Sequence, residues 1–266
     1  MDGIIIVNKP KGWTSFDVVA KIRNLIGGGK VGHSGTLDPM ATGVLPIFLG
    51  KATKYIQYFL NGDKGYEAEM LLGVKTDTGD AEGKVIANKD FPDGPHPDPR
   101  KTIISAECPL PMGEGLVDKQ MDFEKLVRAV FEKYKGTIMQ TPPMYSAVKV
   151  NGQKLYELAR KGIEIKREAR KITIHSLRVT RYSLPSVSFE VICSKGTYIR
   201  QLAVDIGDEL GCGAHLTKLK RTYAHPFHIS QAIDLDVIIT MAKAGILASV
   251  VLSPEELIIE MAKAVA

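Results

Sequence analysis

The sequence predicts an α+β chain, a long mixed but mostly antiparallel sheet with helices packed around it. Three observations carry this. Residues 172–182 and 187–193 are neighbouring runs in which apolar and polar residues alternate, so they read as consecutive strands most simply paired antiparallel. Asn151-Gly152 is the strongest hairpin dipeptide in the chain. Between such runs, apolar residues recur at helical spacing. With 266 residues, 44% of them hydrophobic, the chain is long enough for one large or two small domains with a core of their own.

In order along the chain, Ile4-Ile-Ile-Val7 is a buried strand, ended by the turn Asn8-Lys-Pro-Lys-Gly12, where Lys9 and Lys11 are expected to face solvent. Thr14 or Ser15 can cap a helix whose apolar stripe is Phe16, Val19, Ile22 and Ile26. A glycine-rich loop follows, and Val44 to Leu49 form a buried run behind it. Residues 51–60 read as helical. From Gly65 to Gly73, Tyr66, Ala68, Met70 and Leu72 share one face, so Tyr66 opens a half-buried strand. The acids and glycines of Asp77-Thr-Gly-Asp-Ala-Glu-Gly83 lack the alternation and the distant glutamate of a calcium loop, and fit a hairpin turn.

Residues 88–115 hold six of the 14 prolines among scattered charges, the composition of an exposed insertion, placed at about 88–121. Asp122 can cap a helix with Phe123, Leu126, Val127, Val130 and Phe131 on its packed side. A proline entry at Thr141-Pro-Pro leads to a strand and the Asn151-Gly152 turn, then a helix over 155–160. Arg160, Lys161, Lys166, Arg167, Arg170 and Lys171 put six cations into twelve residues, a solvated face or a run that contacts phosphates. After the two alternating strands, residues 194–210 form a strand-to-helix junction with Arg200 in the first helical turn. A cation there opposes the helix dipole, so Arg200 is either exposed or held by a carboxylate from elsewhere. Residues 230–266 read as a helical, apolar tail.

The loop holds the residues best suited to chemistry. Between Gly27 and Gly43 lie six glycines, one proline and a single carboxylate, Asp38. Glycines permit backbone conformations closed to other residues, and Pro39 biases Asp38 towards an extended geometry. His33, Ser34, Thr36 and Thr42 surround it in sequence, and the apolar run behind supplies a rigid support. Taken alone, Gly-Thr-Leu-Asp-Pro is equally a plain turn.

Other chemistries find less support. Cys212-x2-His215 and His225-x2-His228 offer two pairs of soft ligands, but a mixed set with one cysteine is weak for zinc. Gly50-Lys51-Ala52-Thr53 lacks the preceding glycine of a phosphate loop, and no Ser stands in a Gly-x-Ser-x-Gly context. Three cysteines without paired spacing point to a reducing compartment, and neither a signal segment nor 18 uncharged apolar residues in a row occur. A cytoplasmic location is expected, with no membrane partner. Thirty-five Lys and Arg against 30 acids leave a net charge of +5, room for a basic face towards a polyanion.

At Val31-Gly-His33, Gly35-Thr-Leu-Asp-Pro39 and Ala41-Thr-Gly43 the chain closely resembles the TruB family of tRNA pseudouridine synthases. The resemblance extends to Asn8-Lys-Pro-Lys-Gly-Trp-Thr-Ser15, Lys64-Gly-Tyr66, Thr76-Asp-Thr-Gly-Asp80, Pro142-Pro-Met-Tyr-Ser-Ala147, Cys193-Ser-Lys-Gly-Thr-Tyr-Ile-Arg200 and Gly211-Cys-Gly-Ala-His215. These stand in the family's order over roughly residues 1–228.

The resemblance implies the pseudouridine synthase fold, with an active-site cleft crossing the middle of the sheet. It implies a catalytic domain over 1–230, and it implies a C-terminal PUA domain as is common in the family; the chain is expected to depart from that, with a helical tail over 231–266 and no complete PUA domain. The implied activity is isomerisation of uridine 55 in the T loop of tRNA by base flipping, with no metal or organic cofactor. The implied partner is the tRNA T arm, with no protein partner and a monomeric enzyme. Asp38 becomes the catalytic carboxylate, acting at C1′, at C6 or through a glycal. Arg200 pairs with it. Tyr66 stacks on the target base and helps remove its C5 proton. His33 fills the gap left by the flipped base, and Tyr198, Lys9, Lys149 and the basic run at 160–171 contact the RNA. Two rival readings remain: an RNA-binding or RNA-folding protein in which catalysis is secondary, and a zinc-stabilised RNA-binding module.

Overall fold

The structure, a computed structural model, describes residues 1–89, 114–150 and 152–263. The proline-rich stretch 90–113, most of the expected insertion, lies outside the described residues.

The first strand, β1 (Gly3–Lys9), is buried along almost its whole length. Thr14 caps α1 (Ser15–Leu25) in a reciprocal box. Its hydroxyl accepts the Asp17 N–H at 3.0 Å, and the Asp17 carboxylate accepts the Thr14 N–H at 2.9 Å. The buried stripe is Val18, Val19 and Ile22. Phe16, assigned to it from spacing, is 68% exposed because it lies roughly a third of a turn round the helix from that stripe. Then come β2 (Val31–His33), β3 (Thr42–Leu49), a 3₁₀ turn over Gly50–Tyr55, α2 (Ile56–Leu60) and β4 (Lys64–Leu72). The Asp77–Gly83 segment closes a hairpin between β5 (Val74–Thr76) and β6 (Val85–Asn88), with the Lys84 N–H on the Asp77 carboxylate at 2.8 Å.

α3 (Glu114–Lys133) begins eight residues before the expected cap at Asp122, so residues 114–121 are helical. Phe123, Val127, Val130 and Phe131 are buried and Leu126 is exposed. β7 (Gly136–Gln140) follows, then the hairpin β8 (Lys149–Val150) and β9 (Gln153–Lys154), α4 (Leu155–Ala159), β10 (Arg170–Ser183) and β11 (Ser186–Cys193). The chain continues through α5 (Ile199–Glu209), β12 (Ala214–Ala224), β13 (Phe227–His228), β14 (Ile233–Asp234), α6 (Leu235–Lys243) and α7 (Pro254–Lys263).

The main sheet is mixed and runs β14-β1-β3-β12-β4-β11-β10-β7, with β2 added to β3 and β13 to β12. β1–β3 and β7–β10 are antiparallel, whereas β1–β14 and β3–β12 are parallel. Among the described residues two compact units form. One is Met1–Glu67, Val191–Lys195 and Lys218–Ala266, the other Ala68–Glu190 with Gly196–Thr217. β4, β11 and β12 contribute residues to both.

In the first unit, Ile4, Ile6, Val44, Phe48, Phe59 and Phe227 make the centre of the core, with the Phe59 ring 5.3 Å from Phe48 and 5.5 Å from Phe227. Removing six side chains of this size from water supplies on the order of 10 kcal/mol of hydrophobic stabilisation before entropy is counted. The C-terminal residues belong to this unit. β14 extends β1 in parallel, Leu252 exchanges backbone hydrogen bonds with Ile4 at 2.9 and 2.8 Å, and Leu257 and Ile258 pack on the core. In the second unit α3 lies on β10, and Phe131 meets Phe189 edge-on at 5.4 Å.

Candidate active site

The loop around Asp38 is held from below. Leu37, Met40 and Ala41 are buried while Asp38 between them is half-buried, so apolar anchors on either side fix the backbone and leave the carboxylate at the edge of solvent. The buried Ser15 hydroxyl accepts the Leu37 N–H at 2.8 Å, Gly12 N–H reaches the Pro39 carbonyl at 2.8 Å, and Ala41 N–H closes a turn onto the Asp38 carbonyl at 3.1 Å. Helix α1 and the end of β1 thus position the loop.

Arg221 on β12 clamps both arms of the loop. Only 1% exposed, it donates from Nε to the Val44 carbonyl at 2.7 Å and from Nη2 to the Gly35 carbonyl at 3.1 Å. The parallel register that brings it there pairs Arg221 with Gly43. Gly43 must be glycine: φ is +102°, and a Cβ would sit 2.2 Å from the Arg221 carbonyl oxygen.

The same guanidinium lies within electrostatic reach of the Tyr66 hydroxyl. Burial pushes the Tyr66 phenol up to about 12; the Arg221 charge pulls the other way, and the Cys193 thiol and the Asp38 carboxylate add to the rise. Tyr66 therefore stays protonated at neutral pH, a phenol within electrostatic reach of Asp38. His33 ends β2 half-buried. Burial holds its pKa below the ordinary value, with the Arg221 charge acting in the same sense, and its Nδ1 has no hydrogen-bond partner among the described residues. Lys64, two residues before Tyr66, donates to the Leu60 carbonyl at 3.1 Å and to that of Gly62, and burial brings its ammonium down to about 8, helped by Arg221.

In the second unit Arg200 is held by a carboxylate, one of the two alternatives its place in the first turn of α5 allowed. Its Nη1 lies 3.4 Å from the Asp80 carboxylate, with side chains only 5% and 6% exposed. Nη1 also donates to the Thr78 carbonyl at 2.9 Å and Nη2 to the Tyr145 carbonyl at 2.8 Å. Asp80 in turn accepts the Thr78 hydroxyl at 2.6 Å and the Glu82 N–H at 3.0 Å, so the buried ion pair is hydrogen-bonded on both sides. The start of α5 is pinned by Gln140, whose amide accepts the Tyr198 N–H at 2.8 Å and donates to the Tyr198 carbonyl at 3.1 Å.

Of the expected site residues, Asp38, Tyr66, His33 and Lys9 fall in the first unit and Arg200, Tyr198 and Lys149 in the second. Lys9 differs from expectation. The strand runs on through it, pairing Lys9 with Gly43, and its side chain is 0% exposed with the ammonium donating to the carbonyls of Pro10, Trp13 and Pro39 at 2.9, 2.6 and 3.3 Å. It braces the Asp38 loop, so the phosphate role gives way to a structural one. Lys149 is exposed on β8. Arg221, Asp80 and Gln140 were not singled out from sequence, and Ser15 only as a candidate helix cap. Asp80 lay within a quoted motif, but Arg221 sits in a cationic strand with no local signal.

The two candidate zinc pairs fall in different units, and their members have other partners. His215 Nδ1 is 2.9 Å from the Val74 carbonyl, and His225 Nδ1 is 2.7 Å from the Tyr223 hydroxyl. Among the described residues no group of three or more His, Cys, Asp or Glu is placed to hold a metal.

The description "TruB family pseudouridylate synthase (N terminal domain)" matches residues 23–104 and 114–199, and "tRNA pseudouridylate synthase B C-terminal domain" matches residues 200–258. The chain belongs to the TruB family. Curated TruB relatives named tRNA pseudouridine synthase B include one from Clostridium kluyveri, 47% identical over 89% of this chain and 72% of its own. Another, from Geobacillus thermodenitrificans, is 43% identical over 99% and 80%. A solved Cbf5-Nop10-Gar1 complex contains a chain of similar fold, with a TM-score of 0.67 and 28% identity. This chain covers 61% of its length, and 96% of this chain is matched. The TruB assignment confirms the α+β expectation, a large mixed sheet flanked by helices. The TruB sequence motifs also account for the packing around Asp38: the Lys-Pro segment supplies Lys9 and Ser15, and the loop motif supplies the glycines that Arg221 approaches.

Proposed function

We propose that this chain isomerises uridine 55 in the T loop of tRNA to pseudouridine, with Asp38 as its essential carboxylate. The observation that carries the reading is the Asp38 loop itself: the single carboxylate of a motif shared with the TruB family, braced by Ser15 and Lys9 and clamped by Arg221, beside a phenol kept neutral. Family membership and the names of the relatives support the reaction class and the tRNA substrate.

The reaction needs the N1–C1′ bond to break, the uracil to rotate and C5 to bond to C1′, after which C5 loses its proton and N1 holds one. A pre-positioned carboxylate stabilises or covalently traps the sugar or the base between those steps. Tyr66, protonated, stacks on the base and helps remove the C5 proton. Arg200, carried over from the TruB arginine motif, belongs to the catalytic set with Asp38 and Tyr66. The target base is flipped out of the loop, and His33, neutral and half-buried, takes its place in the stack. Tyr198, Lys149 and the cations of residues 160–171 contact the RNA. The enzyme works on tRNA in the cytoplasm, without a protein partner.

The test is tritium release from unmodified tRNA labelled at uracil C5. Release of one equivalent per tRNA by the parent, and none by Asp38→Asn with tRNA binding retained, is expected. A parent that binds tRNA but releases nothing sinks the isomerase in favour of an RNA-binding or RNA-folding role.

A further inference from the structure

Lys64 opens β4 two residues before Tyr66, so both side chains leave the same face of the strand. The residue is buried, 7% exposed. Its ammonium turns back on the chain that precedes it, donating to the carbonyl of Leu60, the last residue of α2, at 3.1 Å and to that of Gly62 in the turn. From β11 the buried Cys193 thiol reaches the Lys64 carbonyl at 3.7 Å. The turn itself is packed onto β12: a Cβ on Gly62 would lie 2.5 Å from His225, and one on Gly65 would lie 3.0 Å from Tyr223. Lys64 therefore closes the corner between α2 and β4, and Tyr66 stands on the strand just beyond it.

An ammonium is a costly group to place there. An apolar side chain of the same length fills the corner without losing hydration, and Arg221 repels the charge. Burial is the larger effect and Arg221 the next; with Lys195 also repelling, they bring Lys64 down to about 8 against the attraction of Asp63 and Cys193. Lys195 is itself bonded to the Asn61 carbonyl oxygen at 2.6 Å, and on β12 the Tyr223 hydroxyl and His225 Nδ1 hold each other at 2.7 Å. Lys64 is thus a cation at neutral pH that loses its charge in the mildly alkaline range. As a cation it offers three donors in charge-assisted bonds to the two carbonyls; as an amine it offers two weaker ones.

We propose that Lys64 is a positioning residue for the isomerisation: its charged ammonium locks the corner between α2 and β4 and so holds Tyr66 where the base stacks. The role of Tyr66 rests on the isomerase reading above; the dependence of that role on the charge of Lys64 goes beyond it.

The test is the pH profile of tritium release from tRNA labelled at uracil C5, with kcat and KM taken separately, on the parent and Lys64→Met. The parent loses kcat as pH rises through about 8, with KM unchanged. Lys64→Met lowers kcat about tenfold near neutral pH by leaving Tyr66 loosely placed, with KM unchanged and no decline through pH 8. Urea unfolding over the same range separates a local change from global unfolding. The folded pKa lies below the ordinary 10.5, so the unfolded chain holds the proton more tightly, and this group adds stability as pH rises from about 8 to 10.5. The stability of the parent relative to Lys64→Met therefore rises while kcat falls. A parent whose kcat is flat through pH 8, a folded Lys64→Met with the parent's kcat, or a fall in kcat that follows a loss of urea stability overturns the proposal. The first and third of these need no variant, so they decide the matter even where Lys64→Met fails to fold. A parent that releases no tritium ends the isomerase reading and this inference with it, whereas release with an unaffected variant ends this inference alone.

Discussion

Arg221 donates to the carbonyls of Gly35 and Val44, and the geometry of those bonds depends on its planar fork. A lysine keeps the charge but cannot reach both carbonyls at once. Arg221→Lys is expected to lose about 3 kcal/mol of stability, because the site keeps a buried cation while losing its partners. Urea unfolding measures this, and tritium release at saturating tRNA should fall alongside. His33 gives a pH signature. Its folded pKa lies below the ordinary value of about 6.5, so the unfolded chain takes up a proton first as the solution is acidified. Stability from this group is therefore complete above pH 6.5 and declines as pH falls below it. The melting temperature of His33→Gln should drop less than the parent's between roughly pH 7 and 5.5.

At the scale of elements, the close approach of β3 to β12 rests on one missing side chain. Gly43→Ala drives a Cβ into the Arg221 backbone and is expected to cost more than about 3 kcal/mol. Gly12→Ala, also at positive φ but with nothing within 4 Å, should cost only about 1 kcal/mol. Equal losses in urea unfolding would mean that backbone conformation, not crowding, governs both. The β5–β6 turn carries a second device. Asp80→Asn leaves Arg200 buried with a weakened partner, so kcat should fall with KM little changed, and stability should drop by about 3 kcal/mol. Much of this was legible beforehand. The loop glycines, the Thr14 cap, the alternation of β4 and the carboxylate owed to Arg200 all follow from local rules. The family resemblance names Asp38 as that carboxylate; that Asp80 holds Arg200 was not legible, nor was Arg221, because both depend on which strands become neighbours, and no local pattern encodes that. β12 was missed for a related reason: it carries Lys218, Lys220 and Arg221, and one of these cations points inward, against the alternation a strand usually shows.

For the whole molecule, consecutive hairpins and helix spacing were enough to foresee an α+β sheet, yet the ten strands of the main sheet among the described residues exceed what could be counted from sequence. β7, an edge strand of five residues with little apolar content, left no period to read. No helix among the described residues is long and apolar enough to cross a membrane. The C-terminal residues, expected to form a tail, add β14 to the sheet beside β1 and cover the same core as the chain's first strand.

The bond from Arg221 to Val44 joins residues 177 positions apart. During synthesis, the segment bearing Asp38 leaves the ribosome long before its clamp exists, and the loop must wait, backbone carbonyls in water, until β12 arrives to pair beside β3. Contacts of such sequence separation form late, since chain closure is costly before they can repay it. A nascent or truncated chain ending before Arg221 thus carries Asp38 in full and still lacks the clamp on its loop, which ties the ordering of this loop to near-completion of the polypeptide.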